Sequence, residues 1–463
     1  MKLRNHLALL VLAALTACST PANVSGVPNP AMPPTWEEQT VSEPPAQALP
    51  RLWWQALQDP VVERLMSQAR FTSVEQALAR VDEARAQLGQ QQASSRPQLL
   101  GAVNAQRGLE QNEPPQVVSR AGPSLQLGWE IDLWGRVAQG RAAAEQRSAQ
   151  QSAQAELAAL LAQVQLVDWV VQERACRRMV ELQTADEQSW TSSLEMQRVR
   201  LRFGAQSMQG LARTEGQAAA QRIQLAATEA QCHGLRQALR ALAGVEPAVL
   251  TSAIALERPD WVKPPLLRSE QPASVLLKHA QMRAATAAAD AAFHDLGSAQ
   301  AARLPSLNLA GLLGHQWVRM LGHDSELKPW SESIALAGPL WDGGAGTARV
   351  EAAQARLNGA MANLDQTLRQ TVREIETALA QQEAMYRQLQ AALQYAQSSD
   401  QSWRVSQAAA AAGRLNSLDL EDAARQQRIA QLALVAAQRD LDLAWTGLVK
   451  AAGQAPLHFE TPP

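Results

Sequence analysis

The sequence predicts a mainly helical chain, built twice over, in which two pairs of membrane β-strands hand over to very long helices. Three observations predict this. Landmarks recur at a fixed offset: Pro97 and Pro305 lie 208 residues apart, Gly135 and Gly343 lie 208 apart, and Gly204 and Gly413 lie 209 apart. A constant offset marks a duplicated unit. Four segments of about ten residues alternate apolar and polar side chains, the length of a membrane β-strand. Two runs, 136–203 and 344–412, contain no proline.

The N-terminus supplies the compartment. Lys2 and Arg4 precede an apolar run that ends in Leu15-Thr16-Ala17-Cys18. Residues 1–17 read as a secretory signal peptide, and its last residues with Cys18 resemble a bacterial lipobox. Cleavage would leave Cys18 as an acylated first residue, so a covalent lipid on Cys18 is expected and no other cofactor. Ser19 is not the Asp of inner-membrane retention, which implies the outer membrane. Residues 18–50 are rich in Pro, Ser and Thr and read as an extended tether. The first repeat is placed at 51–262, the second at 263–455, and a tail at 456–463. No later segment has the ~18 apolar residues of a membrane-spanning helix.

The strands are placed at about 98–108, 122–132, 306–317 and 332–341. Leu125, Leu127, Trp129 and Ile131 alternate with polar or small neighbours, as do Leu307, Leu309, Leu313 and Trp317. Leu99, Gly101 and Val103 carry a weaker pattern in the first strand, and Ile334, Leu336 and Leu340 in the fourth. A soluble sheet with one wet face would show the same alternation. Two isolated pairs in an exported helical chain favour membrane strands. Four strands cannot close a barrel, whose smallest form has about eight, and open edges are not tolerated in lipid. Several chains must therefore share one barrel. Trp129, Trp134, Trp317, Trp330 and Trp341 lie in or near the strands, where indole suits the membrane–water interface or a packed core.

At 1.5 Å per residue each proline-free run reaches about 100 Å. So long a helix needs neighbours alongside it. Return helices from about Met208 to Leu242 and Leu418 to Ala451 are shorter, so helices at 55–95 and 272–303 are expected to continue them lengthwise. Cys176 and Cys232 each lie 28 residues from Gly204. If Gly204 is the hairpin tip they share a height, and a disulfide is then open to them. Equal height does not fix facing, and two unrelated buried thiols fit the sequence as well.

Composition limits the chemistry. The net charge of −2 gives no nucleic-acid surface, and aromatics are only 4% of 463 residues, against a compact aromatic core. The His residues are scattered without metal-ligand spacing, and no Gly-rich phosphate loop is present. No catalytic activity is expected, so transport energy would have to come from a partner.

The lipobox, "LWWQALQDPVVERLM", the two Pro-marked strand starts, "WEIDLWGR", "PLWDGG" and the two Gly-marked tips together resemble the outer membrane factors. These are the TolC-like channels, here in the lipoprotein branch that includes OprM and NodT. The resemblance implies a homotrimer in which four strands per chain build a shared 12-stranded barrel above a periplasmic tunnel of long coiled helices. It implies an outer-membrane efflux channel for small molecules, docked on a periplasmic adaptor and an inner-membrane pump, of the RND type. Its alternatives are the channel of a type I protein secretion system or a coiled-coil adaptor lipoprotein. In this resemblance Gly135, Gly343 and Gly344 turn strand into helix. Gly204 and Ala205 form one adaptor-docking tip; Gly413, Arg414 and Leu415 form the other. Asp419 and Asp422, three residues apart on one helix face, would ring the periplasmic aperture. Acids at a helix N-terminus also suit its dipole. The Arg-Arg-Pro-Asp stretch usual at the start of the second repeat is replaced by "PASVLLKHAQM", and an early Asn in the first repeat by "FTSVEQ".

Overall fold

A computed structural model describes residues 27, 31–37, 52–111, 115–256, 261–262, 264 and 272–453. The signal peptide, Cys18 and the tail at 456–463 lie outside the described residues.

The duplication is exact in length where the helices are longest. α3 (Arg136–Arg202) and α8 (Ala345–Ala411) each have 67 residues, and the return helices α4 (Met208–Ala243) and α9 (Ser417–Ala452) each have 36. At 1.5 Å per residue these span about 100 and 54 Å. Ahead of the strands stand α1 (Pro60–Met66) and α2 (Thr72–Ser94) in the first repeat. Two short helices, α5 (Pro247–Ile254) and α6 (Pro272–Lys278), link the repeats, and α7 (Ala280–Ala301) is the second-repeat counterpart of α2.

The expected single helices over 55–95 and 272–303 are each broken. Asp59 caps α1, accepting from the N–H groups of Val61 and Val62 beside Pro60 at the first helical position, a sequence that starts a new helix. His279 caps α7 in the same way, accepting from the Gln281 N–H. The lengthwise continuation is real: the Arg70 N–H donates to the Ala243 carbonyl, joining α2 to the end of α4, and Gly244 turns there with φ 62. Gly453, also at φ 62, makes the matching junction between α9 and α7. The helices form four neighbouring columns: α2 with α4, then α3, then α7 with α9, then α8.

His279 is buried at that second junction. Nδ1 accepts a backbone N–H, so Nε2 carries the proton and donates to the Ala451 carbonyl at 3.2 Å. Burial is the main cause that holds its pKa below the ordinary 6.5, against weaker raising by the Ala451 bond and Glu374. A histidine kept neutral in the fold binds fewer protons than in the unfolded chain. Its stabilisation is therefore full above the unfolded value and is lost as pH falls from there towards the folded value. Thermal unfolding should shift to lower temperature between pH 7.5 and pH 5.5, and His279→Gln should flatten that dependence.

The sheet comprises β1 (Gln98–Glu110), β2 (Gln116–Ile131), β3 (Ser306–Gly314), β4 (Gln316–Met320), β5 (His323–Leu327) and β6 (Trp330–Ala337). All pairings are antiparallel. β3 and β4 are one strand by register, since Ser124 faces Gly314 and Ala121 faces Trp317. The ladder lapses for one residue at His315, whose N–H reaches the carbonyl of Pro123, a residue with no N–H to return. β5 and β6 are likewise one strand interrupted near Pro329, whose carbonyl accepts from the Gly314 N–H.

The four expected strands thus stand, with corrected ends. The second begins at Gln116, the third runs to Met320, and the fourth starts at His323 and stops at Ala337, leaving Leu340 and Trp341 beyond it. A two-residue turn joins the last two, with Leu321 at φ 51 and Gly322 at φ 80. Paired positive φ values belong to the tight hairpin turn that matches strand twist, but Leu-Gly is not its usual sequence signal.

Register collects the apolar residues on one face. Leu127 faces Leu99 on one side and Gly311 on the other; Leu313 stands between Leu125 and Trp330, and Leu309 between Trp129 and Ile334. Glu130, Asn308 and Ala335 share a row on the opposite face. Among the described residues the edges, β1 on one side and β5–β6 on the other, have no further strand partner, and every residue of β6 is exposed.

The main core lies where the columns break. Trp53 packs on Trp445 with ring centroids 5.8 Å apart, among Leu57, Leu65, Val167 and Leu239. A second cluster holds Trp36 between Val275, Leu276, Met282 and Leu364. The stretch expected to be an extended tether is, among its described residues, docked at Trp36 and at Val27, whose N–H donates to Asp290. Among the described residues of that stretch, one indole fixes the segment to the fold.

Candidate functional site

The two hairpin tips are the same device. At the first, the Gly204 N–H donates to the Leu201 carbonyl and the Ala205 N–H to Arg200. At the second, Gly413 donates to Ala410 and Arg414 to Ala409. This pair of bonds ends a helix with a left-handed residue, and Gly204 (φ 71) and Gly413 (φ 68) supply it. Ser207 and Asn416 cap the return helices, Asn416 accepting from Leu418 and Asp419 N–H at 3.0 Å. Phe203 and Met208 are exposed at the first tip, Arg414 at the second, and Leu415 is half-buried.

Above the second tip, a polar network ties α9 to α3. Arg425 is buried on α9. One of its amino groups donates to the hydroxyls of Ser189 and Ser193 on α3 at 2.9 and 3.0 Å, and the other pairs with Asp422. The guanidinium lies over the Trp190 ring, 4.0 Å from its centroid. Ser189 donates to Glu421, and Arg428 reaches Asp186 at 2.9 Å with both groups largely buried. Asp419 accepts from the side chain of Asn416 and, like Asp422, is exposed. The sequence-predicted acids therefore sit on the open side of a latch whose inner side is Arg425, Ser189, Ser193 and Trp190. Those four were missed. The Asp-x-x-Arg spacing was the only sequence signal, and it names no partner on another helix. At the matching height of the first repeat stand Arg213 and Gly216, so the latch belongs to one hairpin.

The first hairpin carries a different tie. Cys176 and Cys232 are joined as a disulfide with Cα atoms 5.6 Å apart. Close by, the buried Glu173 accepts from Arg177 on its own helix and Arg236 on α4.

At the other end, strand becomes helix through glycine. Gly135 (φ 78) and Gly344 (φ 92) are the N-caps of α3 and α8. Gly344, not Gly343, is thus the counterpart of Gly135, and Gly343 (φ 65) is an extra residue in the second turn. This insertion accounts for the step from 208 to 209 in the repeat offset. Asp132 accepts from Ala138 N–H and Asp342 from Gly344 and Gly346 N–H, so a carboxylate finishes each turn. The indole N–H groups of Trp129 and Trp134 donate to the carbonyls of Ser95 and Pro305. Trp129 thus fastens β2 to the end of α2, and Trp134 ties one strand–helix junction to the other, while Trp317, Trp330 and Trp341 are exposed.

Comparison with known proteins agrees with this architecture. Outer membrane protein OprJ of Pseudomonas aeruginosa is 28% identical over 473 residues, covering 96% of this chain and 95% of that protein. The pyoverdine export outer membrane protein OpmQ of Pseudomonas putida is 28% identical over 325 residues, 67% of each chain. The solved outer-membrane channel OprN superposes with a TM-score of 0.83 at 21% identity, covering 94% of this chain and 99% of that one. The family model for outer membrane efflux proteins matches residues 66–245 and 272–454, one match to each repeat. The chain belongs to the outer membrane efflux protein family.

Proposed function

We propose that three copies of this outer-membrane channel protein close one 12-stranded barrel and one helical tunnel, a passive conduit for small toxic molecules. One observation carries the reading. A four-stranded sheet with an apolar face and two unpaired edges passes directly into helices of 67 residues. In lipid such edges must be paired, and additional copies are the partner of matching strand polarity. A periplasmic adaptor docks at Gly204, Ala205, Gly413, Arg414 and Leu415, and an inner-membrane pump of the RND type supplies the energy. Cys18 carries the lipid. Val27 lies nine positions along the chain from it, and nine steps of up to ~3.5 Å reach about 30 Å.

Asp419 and Asp422 stand on α9 near the tip, and three copies would form a ring of carboxylates that favours cations. Reconstitution in planar bilayers tests this reading. The wild-type channel is expected to conduct with a cation preference, and Asp419→Ala/Asp422→Ala to conduct more with a weaker preference. A protein that inserts but carries no current would overturn the channel; unchanged selectivity in the double variant would remove the two acids from the aperture.

A further inference from the structure

Among the described residues, α4 is less buried than its repeat counterpart α9. Its main packing is along α3. Seven of its 36 residues are buried, against twelve of 36 in α9, which lies between α3 and α8. It contains Gly210, Gly216 and Gly234, which weaken a helix interior, and Ile223 is exposed. Yet α4 forms an outer column of the chain, the surface a neighbouring copy must meet.

The disulfide sits on this element. Cys176 and Cys232 are both buried, and their bond closes a separation of 56 residues that contains the tip. Moved by the repeat offset of 209 residues, the same two places in the second hairpin are Met385 and Leu441. Those two belong to an apolar cluster with Leu389 and Leu434. The second hairpin is held at this height by apolar packing, and the first by a covalent bond.

We infer that Cys176 and Cys232 are an oxidative modification site whose bond seats α4 on α3 before chains assemble, and that a disulfide-bearing oxidoreductase of the export compartment installs it. One cysteine thiolate attacks the donor's disulfide to give a mixed disulfide, releasing one donor thiol. The second thiolate displaces the remaining donor sulfur, so the chain gains a disulfide and the donor leaves as a dithiol. Two electrons pass to the donor, and the two cysteine protons are released or taken up by its thiolates. The paired helices bury both sulfurs, so exchange takes place before α4 is fully seated. The role in assembly rests on the trimer reading; the seating of α4 does not.

The test uses the full-length protein in detergent. Native, unreduced protein is alkylated and analysed by mass spectrometry, and amide hydrogen exchange is compared in α4 and α9 for wild type and Cys176→Ser/Cys232→Ser. The expected result is no labelling of either thiol without reductant, and exchange in α4 of the serine variant at least tenfold faster with α9 unchanged. Should the serine variant fail to accumulate, Cys176→Met/Cys232→Leu, which borrows the second hairpin's residues, carries the same comparison, again with faster exchange in α4 than wild type. Both thiols labelled in unreduced wild type would overturn the inference, as would α4 exchange unchanged or raised equally with α9. Oligomer mass is read on the same samples: a monomeric wild type sinks the trimer reading while leaving the α4 result to stand or fall alone.

Discussion

Arg425→Ala is expected to raise the resting conductance of the reconstituted channel several-fold. The side chain is 9% exposed, donates to two serine hydroxyls on α3, pairs with Asp422, and covers Trp190. Hydrogen bonds from a charged donor contribute roughly 1.5–3 kcal/mol each, and a desolvated cation–π contact about 2 kcal/mol. The terms are not additive. A loss of about 2–4 kcal/mol per chain is a fair scale, and in a trimer it would be felt three times. Arg425→Lys keeps the charge but not the planar fork that meets both serines and the ring, so it should fall between. Asp422→Asn should do less than either, because that carboxylate is 67% exposed and solvent screens the pair. Single-channel recording at fixed voltage checks the order. Wild-type conductance in Arg425→Ala would remove the latch from the gate.

The second large effect is on insertion. Leu309→Arg puts a cation in the middle of the apolar face, between Trp129 and Ile334. An arginine at mid-bilayer costs about 2–4 kcal/mol on the lipid side of a barrel, and a trimer would bear it three times. The variant should be depleted from the outer-membrane fraction and lack the heat-modifiable band. Asn308→Arg, one residue away on the opposite face, should insert normally. Equal insertion of the two variants would mean that the apolar face does not meet lipid.

Much of this architecture was legible in the sequence because it depends on periodicity. Alternation located the four strands, and absence of proline located two helices of 67 residues within a residue or two. Glycine spacing located both tips, since only a left-handed residue closes that turn. The exact strand ends were hidden for a physical reason. Pro123 and Pro329 interrupt the ladder without changing its register, so they look like boundaries in the sequence but are not. The docking of Trp36 was hidden because nothing local in a proline-rich segment says that one indole will find a core formed by α6, α7 and α8. The polar network above the second tip was half legible. Asp419 and Asp422 stand out as a pair, but Arg425 draws its role from Ser189, Ser193 and Trp190, more than 230 residues away in sequence, and no spacing rule reaches that far.

With both sheet edges open, one chain is an incomplete membrane structure, which we propose is finished by copies of itself. Native mass spectrometry of the full-length protein, extracted from outer membranes in mild detergent, tests it most directly. A single species of three chains that falls to one on heating is expected. A folded single chain, stable in detergent with both sheet edges open, would contradict it.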